Sequence, residues 1–165
     1  MKKSGSSKRE SDTNNFTSAL QRAAGLCSRQ EQCTARVMEK LSQWNISASD
    51  AGKIIARLQE ERFLDDARYA RLFAMEKFRI NGWGRVKITH ALKQRKISEE
   101  EIGQALEQID GEAYLQSCIS SLKQKSVSLK ETNQFTRKGK LFRFAAGRGF
   151  EPDIIYRALS MVEDD

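Results

Sequence analysis

Apolar residues recur at intervals of three and four along most of this chain, the spacing that places them on one face of an α-helix. Cys33, Val37, Met38 and Leu41 form one such face. Long runs of Leu, Ala, Lys, Glu, Gln and Arg, with a single Pro in the whole chain, favour helix throughout. The pattern therefore predicts an all-α protein.

The same apolar pattern occurs three times, about fifty residues apart. Aligned on Ile46, Ile97 and Phe150, six columns are apolar in every copy. The other five columns are Val37, Ile88 and Leu141; Leu41, Leu92 and Ala145; Ala51, Ile102 and Ile155; Ile55, Leu106 and Leu159; and Leu58, Ile109 and Val162. One such unit is small to be stable alone, whereas tandem units bury more surface. We expect three tandem three-helix repeats that form an elongated, curved array.

The repeats are expected at residues 16–64, 65–109 and 110–165, after a disordered basic arm at residues 1–15 that lacks apolar periodicity. In the first repeat, Gly25 is expected to end the first helix by taking the left-handed conformation. Ser28 and Glu31 then have the spacing of a capping box that opens the second helix.

The residues on either side of the three anchors have the character of helix ends. Asn45 and Gly149 suit a left-handed turn before the anchor, and Lys96 suits it less well. Ser47 has the spacing to Asp50 that opens a helix, and Pro152 fits the first position of one, where its missing N–H costs nothing.

The composition narrows the classes of protein to consider. Of the 165 residues 39% are hydrophobic and 31% charged, and the net charge of +7 favours polyanions or an acidic protein as partners. No apolar run approaches the ~20 residues needed to cross a membrane, and no secretory signal is present. We therefore expect a cytoplasmic protein that does not bind membranes.

No arrangement typical of a catalytic or metal site occurs. The three cysteines are scattered and His90 is the one histidine, so we expect reduced, partly buried thiols and no zinc site. Asp65 and Asp66 point in different directions on a helix and favour N-capping over metal binding. G-x-S-x-G, H-E-x-x-H and Walker A motifs are absent. We expect a protein without enzymatic activity or cofactor.

Gly82-Trp83-Gly84 is a helix boundary in this interpretation. Gly82 is expected to end one helix and Gly84 to start the next, and Trp83 to pack between them rather than stack on a base.

Two stretches of the chain carry almost only positive charge, residues 67–98 and 123–148. A solvated helix face usually mixes signs, so these stretches predict a basic surface for a phosphate backbone or an acidic protein groove. Evenly spread, merely solvated charge is the alternative. The candidate contact residues are Arg68, Arg71, Lys77, Arg79, Arg85, Lys87, Lys93, Arg95, Lys138, Lys140, Arg143 and Arg148.

The middle of the chain resembles the central signature of the RecX regulatory proteins. The resemblance rests on Asp65-Asp66-x-Arg68-Tyr69-Ala70, a basic helix, Gly82-Trp83-Gly84, Lys87-Ile88, Leu92, Arg95 and Ile97, with Arg148-Gly149-Phe150 similar to the last-repeat motif of that family. It implies three tandem three-helix repeats and a regulator that binds the recombinase RecA and its nucleoprotein filament. It further implies inhibition of ATP hydrolysis, strand exchange and filament growth.

The resemblance also implies contact with single- or double-stranded DNA, and that Arg68, Lys77, Arg79, Lys87 and Arg95 are the basic contacts of the middle repeat. We expect the protein to act as a monomer. The alternative from the residues alone is a DNA-binding protein of helix-turn-helix-like bundles, in which Arg85 would be the candidate to contact base edges.

Overall fold

The computed structural model describes the backbone of residues 5–163 and the side chains of residues 8–162, and this part of the chain contains nine α-helices and no strand. The all-α prediction is confirmed. The helices are α1 (Gly5–Arg29), α2 (Thr34–Gln43), α3 (Ala48–Glu60), α4 (Asp66–Arg79), α5 (Arg85–Gln94), α6 (Glu99–Glu107), α7 (Gly111–Ser128), α8 (Gln134–Gly147) and α9 (Pro152–Glu163). None of them has both the length and the apolar composition that a bilayer-spanning segment requires.

The chain divides within α4 into two units, with the boundary between Tyr69 and Ala70. The first unit contains α1, α2 and α3, each of which packs against the other two. Its core is formed by small and aliphatic side chains from all three helices. The buried members of this core are Ala19, Ala23, Val37, Leu41, Ala51, Ile54, Ile55, Leu58 and Leu64.

Two predictions at the start of the chain are wrong. Residues 5–15, assigned to a disordered arm, lie in α1, and residues 1–4 are outside the described residues. The side chains from Lys8 to Asn15 are exposed, so this part of α1 is an extension of the amphipathic segment that begins at Phe16. Extension is favoured because adding a residue to a formed helix avoids the cost of nucleation.

The same helix also continues beyond its predicted end. α1 runs through Gly25 to Arg29, and the Ser28 hydroxyl donates to the Ala24 carbonyl at 3.0 Å within it. The N-cap of α2 is Cys33 rather than Ser28. A glycine ends a helix only where a left-handed turn is needed, and the next turn of this kind comes at Asn45.

The second unit contains α5 to α9 and α4 from Ala70 onward. α5 packs on α6, while α7, α8 and α9 pack on one another. Tyr114 of α7 is fully buried, together with Ile88, Leu92, Leu122 and Ile155.

The repeat found in the sequence is present in the structure. Of the eighteen residues in the six apolar columns, fifteen are buried, and Ile46, Leu106 and Val162 are half-buried. Burial of the same helical positions in each copy confirms the prediction of tandem three-helix repeats, because the apolar columns are the core-facing columns.

The turn before each anchor has one geometry in all three repeats. Asn45, Lys96 and Gly149 have φ of 58°, 58° and 96°. The N–H of each anchor donates five residues back, as from Ile46 to the Leu41 carbonyl at 3.0 Å, which is the Schellman arrangement. Lys96 therefore adopts the left-handed conformation despite its side chain, at a cost of about 1–2 kcal/mol.

Most of the predicted helix starts are confirmed. The Ser47 hydroxyl accepts from the Asp50 N–H at 3.2 Å, and α9 begins at Pro152. The Asp65 carboxylate accepts from the Arg68 N–H at 2.9 Å, as expected of an N-cap. The Asp66 carboxylate accepts from the Thr34 N–H at 2.8 Å and so caps α2 from a distant part of the chain. This long-range cap was not predicted from the sequence.

Candidate functional site

The predicted basic residues fall in different environments. Arg68 lies in the first unit and the other eleven lie in the second. Of these eleven, Lys77, Arg85, Arg95 and Arg148 are half-buried, and the others are exposed. The half-buried cations contact aromatic rings, carboxylates or carbonyls, so each of them has partners within the fold.

Arg68 has a structural role in the first unit. Its guanidinium lies 2.8 Å from the Glu31 carboxylate and donates to the carbonyls of Arg62 and Phe63 at 3.2 and 3.4 Å. The hydrogen bond to Glu31 is the largest cause that raises the pKa of Arg68. These bonds join the start of α4 to the segment before α2. The Arg68 side chain is therefore bound by groups within the first unit.

Three cations surround two aromatic rings on the second repeat. Phe73 of α4 and Trp83 are edge-to-face, with ring centroids 6.3 Å apart and an interplanar angle of 73°. The Lys77 ammonium lies 5.4 Å from both centroids, and the Lys87 ammonium lies 4.5 Å from that of Trp83. The Arg95 guanidinium lies 4.7 Å from that of Phe73. We call these five residues the cation–aromatic cluster.

The local sequence explains how this cluster forms. Phe73 and Lys77 are four residues apart and so share one face of α4. Gly82 has φ of 65°, and the turn directs the Trp83 N–H to the Lys77 carbonyl at 3.0 Å. Gly84 is the N-cap of α5. The predicted helix boundary at Gly82 and Gly84 is confirmed, as is the packing of Trp83 at it, and the turn returns the indole to the last part of α4.

The cluster gives this surface a definite chemistry. Each cation over a ring is stabilised by about 0.5–1 kcal/mol at an exposed site, which holds the charges close together. Arg71, Arg79 and Lys93 of the same two helices are exposed, and Lys93 is paired with Glu99 at 3.0 Å. Between residues 70 and 95 there are seven basic residues and one acidic residue, Glu76. Such a surface suits phosphates or carboxylates.

The predicted cations of the third repeat do not all remain available for a partner. Lys140 is 3.2 Å from the Glu131 carboxylate, and Arg148 donates to the Asn81 carbonyl at 2.8 Å. Lys138 and Arg143 are exposed on α8. Of these four cations, the structure supports a partner-facing position most directly for Arg143.

Two motifs that the sequence presented separately meet in the second unit. The Gly84 N–H donates to the Arg148 carbonyl at 2.8 Å, and the Val86 N–H donates to the Gly149 carbonyl at 2.9 Å. A Cβ on Gly84 would lie 2.2 Å from the Gly149 carbonyl carbon. Gly82-Trp83-Gly84 and Arg148-Gly149-Phe150 therefore form one contact between the second and third repeats, which we call the inter-repeat joint.

A buried tyrosine completes the joint. The Tyr114 hydroxyl accepts from the Arg85 N–H at 2.8 Å and donates to the Glu151 carboxylate. The Arg85 guanidinium lies 3.9 Å from the Tyr114 ring centroid and 3.5 Å from Glu151. Tyr114 and Glu151 were missed as functional positions because nothing in their local sequence indicates a partner so far along the chain.

Metal and thiol chemistry gain no support from the part of the chain that is described. No group of three or more histidine, cysteine or carboxylate side chains there could hold a metal ion. Cys33 and Cys118 are buried and Cys27 is half-buried, and burial raises the pKa of the Cys118 thiol to about 12.

Comparison with known proteins now gives the family. A model of the second three-helix domain of RecX matches residues 65–106, and a model of its third three-helix domain matches residues 112–159. Together the two matches cover more than half of the chain. The chain belongs to the RecX family. The cation–aromatic cluster lies within the first match, and the joint connects the two matches.

Curated relatives of this RecX chain are named as regulatory proteins. A regulatory protein RecX of Clostridium botulinum is 34% identical over 122 residues, which cover 73% of this chain and 57% of the relative. The chain thus spans little more than half the length of that relative. A regulatory protein RecX of Chlorobium phaeobacteroides is 28% identical over 87% of this chain and 93% of its own.

Solved structures show the same RecX fold. The crystal structure of RecX from Lactobacillus salivarius has a TM-score of 0.87 at 16% identity, with 93% of this chain and 99% of that chain covered. A second crystal structure, of a regulatory protein RecX, has a TM-score of 0.84 at 19% identity, with 94% and 74% covered. At these identities the likeness concerns the fold.

The free energy of unfolding of this RecX chain is expected to fall at alkaline pH. Replacing Tyr114 by phenylalanine should remove part of that fall. Burial, and then the hydrogen bond to Glu151, raise the pKa of Tyr114 above its ordinary value of 10.0. The unfolded chain therefore loses this proton first, so the associated stabilisation is complete below about pH 10 and declines above it. Near neutral pH the variant should lose about 1–2 kcal/mol, because the Arg85 N–H and Glu151 lose a partner.

The measurement is the free energy of unfolding in urea between about pH 9 and pH 11. The difference between wild type and Tyr114→Phe should shrink over this range, by up to about 1.4 kcal/mol per pH unit. Tyr156→Phe changes an exposed tyrosine of the same unit and should follow the wild-type slope. Parallel curves for wild type and Tyr114→Phe would show that Tyr114 does not carry the effect.

Proposed function

We propose that this chain is a non-enzymatic regulator that binds the recombinase RecA and its DNA filament and inhibits ATP hydrolysis, strand exchange and filament extension. Membership of the RecX family is the observation that carries the choice of partner. The curated relatives are named regulatory proteins, and no catalytic arrangement was found in the sequence.

The cation–aromatic cluster and its exposed neighbours Arg71 and Arg79 are proposed as the main binding surface. Three observations support this choice. The surface lies within the range matched by the RecX second-domain model, it carries many more basic than acidic residues, and its charges are held in place by ring contacts. It would bind phosphates of the filament DNA or acidic side chains of RecA.

The tandem repeats supply the proposed mechanism. A chain of repeats that contacts more than one RecA protomer would oppose the rearrangements that accompany ATP turnover, because bound protomers could no longer move independently. Lys138 and Arg143 would extend the contact onto the third repeat. We propose that the protein acts as a monomer, without a cofactor, in the cytoplasm.

DNA-stimulated ATP hydrolysis by the cognate RecA tests this function. Addition of the protein at a substoichiometric ratio should lower the rate and halt filament extension. Neither effect at a stoichiometric ratio, together with tight and sequence-selective binding to duplex DNA, would contradict the proposal and favour a DNA-binding protein of helix-turn-helix-like bundles. The assay needs a control without the protein and one with a basic protein of similar charge.

Sequence-selective DNA recognition has weaker support. Arg85 is the one residue identified from the sequence as a candidate to contact base edges, and its guanidinium lies over Tyr114 and beside Glu151. A base-contacting arginine needs its planar fork free to bind guanine in the major groove. Binding to DNA through its phosphates remains compatible with the proposed regulator.

A further inference from the structure

An apolar groove lies on the outer face of α8 and α9 in the third repeat. Its volume is about 620 Å³, and it is lined by Phe135, Phe142, Tyr156 and Leu159, with Gly139 between the aromatic positions of α8. Phe135 is 88% exposed and Tyr156 is 64% exposed, which is unusual for aromatic side chains in a small helical unit. The groove therefore exposes more apolar surface than the fold requires.

These aromatic residues do not form the core of the third repeat. The core-facing side of α8 is marked by Leu141 and Ala145, both buried, whereas Phe135 and Phe142 lie seven residues apart on another face. Phe142 packs on Tyr156 of α9 with ring centroids 5.2 Å apart. The exposed aromatic residues thus form a second apolar surface beside the core, and the core residue Leu159 also lines the groove.

The glycine at position 139 is a further observation in favour of a functional groove. A glycine in the middle of α8 costs about 1 kcal/mol relative to alanine. Neither steric crowding nor backbone conformation requires a glycine at this position. An added Cβ would have only the Arg143 guanidinium nearby, at 3.9 Å, and Gly139 does not have a left-handed backbone conformation. What the missing side chain does provide is depth at the centre of the groove.

Two charged residues line the groove, and both are basic. Lys138 and Arg143 line it together with the apolar residues, and none of the described residues that line it is acidic. An occupant with acidic side chains beside its apolar ones would match this distribution, since carboxylates near the rim meet cations. The apolar lining and the two basic residues together indicate a partner segment that is both apolar and acidic.

We propose that this groove binds an acidic amphipathic segment of a partner protein. A large aliphatic or aromatic side chain of the segment occupies the space over Gly139, and its carboxylates meet Lys138 and Arg143. This is the helix-in-groove mode of recognition. The site is separate from the cation–aromatic cluster, and it does not depend on the identity of the partner proposed above.

The shape of the groove favours a peptide over a nucleic acid. A single-stranded nucleic acid binds where flat aromatic faces are open for stacking on successive bases. Here the Phe142 and Tyr156 rings are packed on each other at an interplanar angle of 39°, and Leu159 adds an aliphatic surface. Such a concave apolar surface accepts a branched side chain better than a base.

Fluorescence anisotropy with three labelled probes tests the proposal on the whole 165-residue chain. The first probe is a helical peptide of about 18 residues, with Leu at positions i, i+3, i+4 and i+7 and Glu on the flanking positions. The second is the same peptide with its sequence scrambled, and the third is an oligothymidylate of equal length. The helical peptide should bind at least about tenfold tighter than the scrambled one.

A substitution that fills the groove without unfolding the helix makes the test specific. Gly139→Leu replaces a poor helix former with a good one and should keep or raise the melting temperature. It should weaken binding of the helical peptide at least about tenfold, because the leucine occupies the central space. Gly147→Leu is the matched control, since Gly147 is in the same helix and a Cβ there meets no atom within 4 Å. The control should bind as wild type does.

The rim is tested by charge reversal. Lys138→Glu with Arg143→Glu should weaken binding of the acidic peptide. Arg36→Glu with Lys40→Glu makes the same change of charge in the first unit, outside both the groove and the cation–aromatic cluster, and should leave the affinity unchanged. Unchanged peptide affinity in Gly139→Leu would overturn the proposal. So would loss of oligothymidylate binding in Gly139→Leu without loss of peptide binding, which would make the groove a nucleic-acid site.

Discussion

Gly84→Ala is expected to lower the free energy of unfolding of the second unit by about 3 kcal/mol or more. The added Cβ would lie 2.2 Å from the carbonyl carbon and oxygen of Gly149 and 2.4 Å from the Phe150 nitrogen. These are backbone atoms, so the strain cannot be relieved by rotation of a side chain. The inter-repeat joint must open, and two backbone hydrogen bonds weaken with it. Thermal unfolding followed by circular dichroism should show a fall of roughly 10–20 °C.

Gly103→Ala is the matched control for that measurement. Gly103 lies in α6 of the same unit, and an added Cβ there meets no atom within 4 Å. Alanine in a helix interior is favoured over glycine by about 0.5–1 kcal/mol, so this variant should melt at a slightly higher temperature. If Gly84→Ala melted like Gly103→Ala, the close approach at the joint would not limit stability.

Reversal of charge at Lys77, Arg79 and Lys87 is expected to abolish inhibition of RecA at ratios where wild type inhibits fully. Each substitution by glutamate changes the charge by two, so the net charge falls from +7 to +1. The cation–aromatic cluster loses two of its three cations, and carboxylates then repel phosphates or acidic groups of the filament. The readouts are DNA-stimulated ATP hydrolysis and binding to the filament at several salt concentrations, because phosphate contacts make affinity dependent on salt.

A control with the same net charge separates a specific surface from general attraction. Arg36, Lys40 and Lys53 are exposed in the first unit, and their reversal to glutamate also gives +1. This control should inhibit much as wild type does. Loss of the two cations that lie over the rings, Lys77 and Lys87, should cost the test variant about 1–2 kcal/mol, so its helicity and melting temperature must be measured in parallel. Normal inhibition by the folded test variant would exclude this surface.

The helical repeat is the part of the fold that the sequence predicted best. Val37, Ile88 and Leu141 occupy one column, and all three are buried. Helical period and residue type are local properties, and both act in the same way in each copy. The start of the chain was predicted wrongly, because residues 5–15 extend α1 without an apolar face. Nothing in such a segment separates a solvated helix from a disordered arm.

The sequence predicted that the candidate site is basic, but not which side chains assemble to form it. The density of positive charge around Lys77 and Lys87 is visible in the sequence, and so is the glycine-flanked Trp83. Their assembly around Phe73 requires a turn that returns the indole to α4, which residue spacing alone does not specify. The acidic partners of Arg68 and Arg85 were not predicted at all.

By itself, the sequence determined the helical repeat, its buried faces, the left-handed turns at Asn45 and Gly149, and the sign of the charge on the second repeat. Only the tertiary structure decided which cations belong to the fold. Arg68 meets Glu31 from 37 residues away, and Arg85 meets Glu151 from 66 residues away. An ion pair of that kind depends on how distant helices pack, whereas the period of an amphipathic helix is set by the residues of the helix itself.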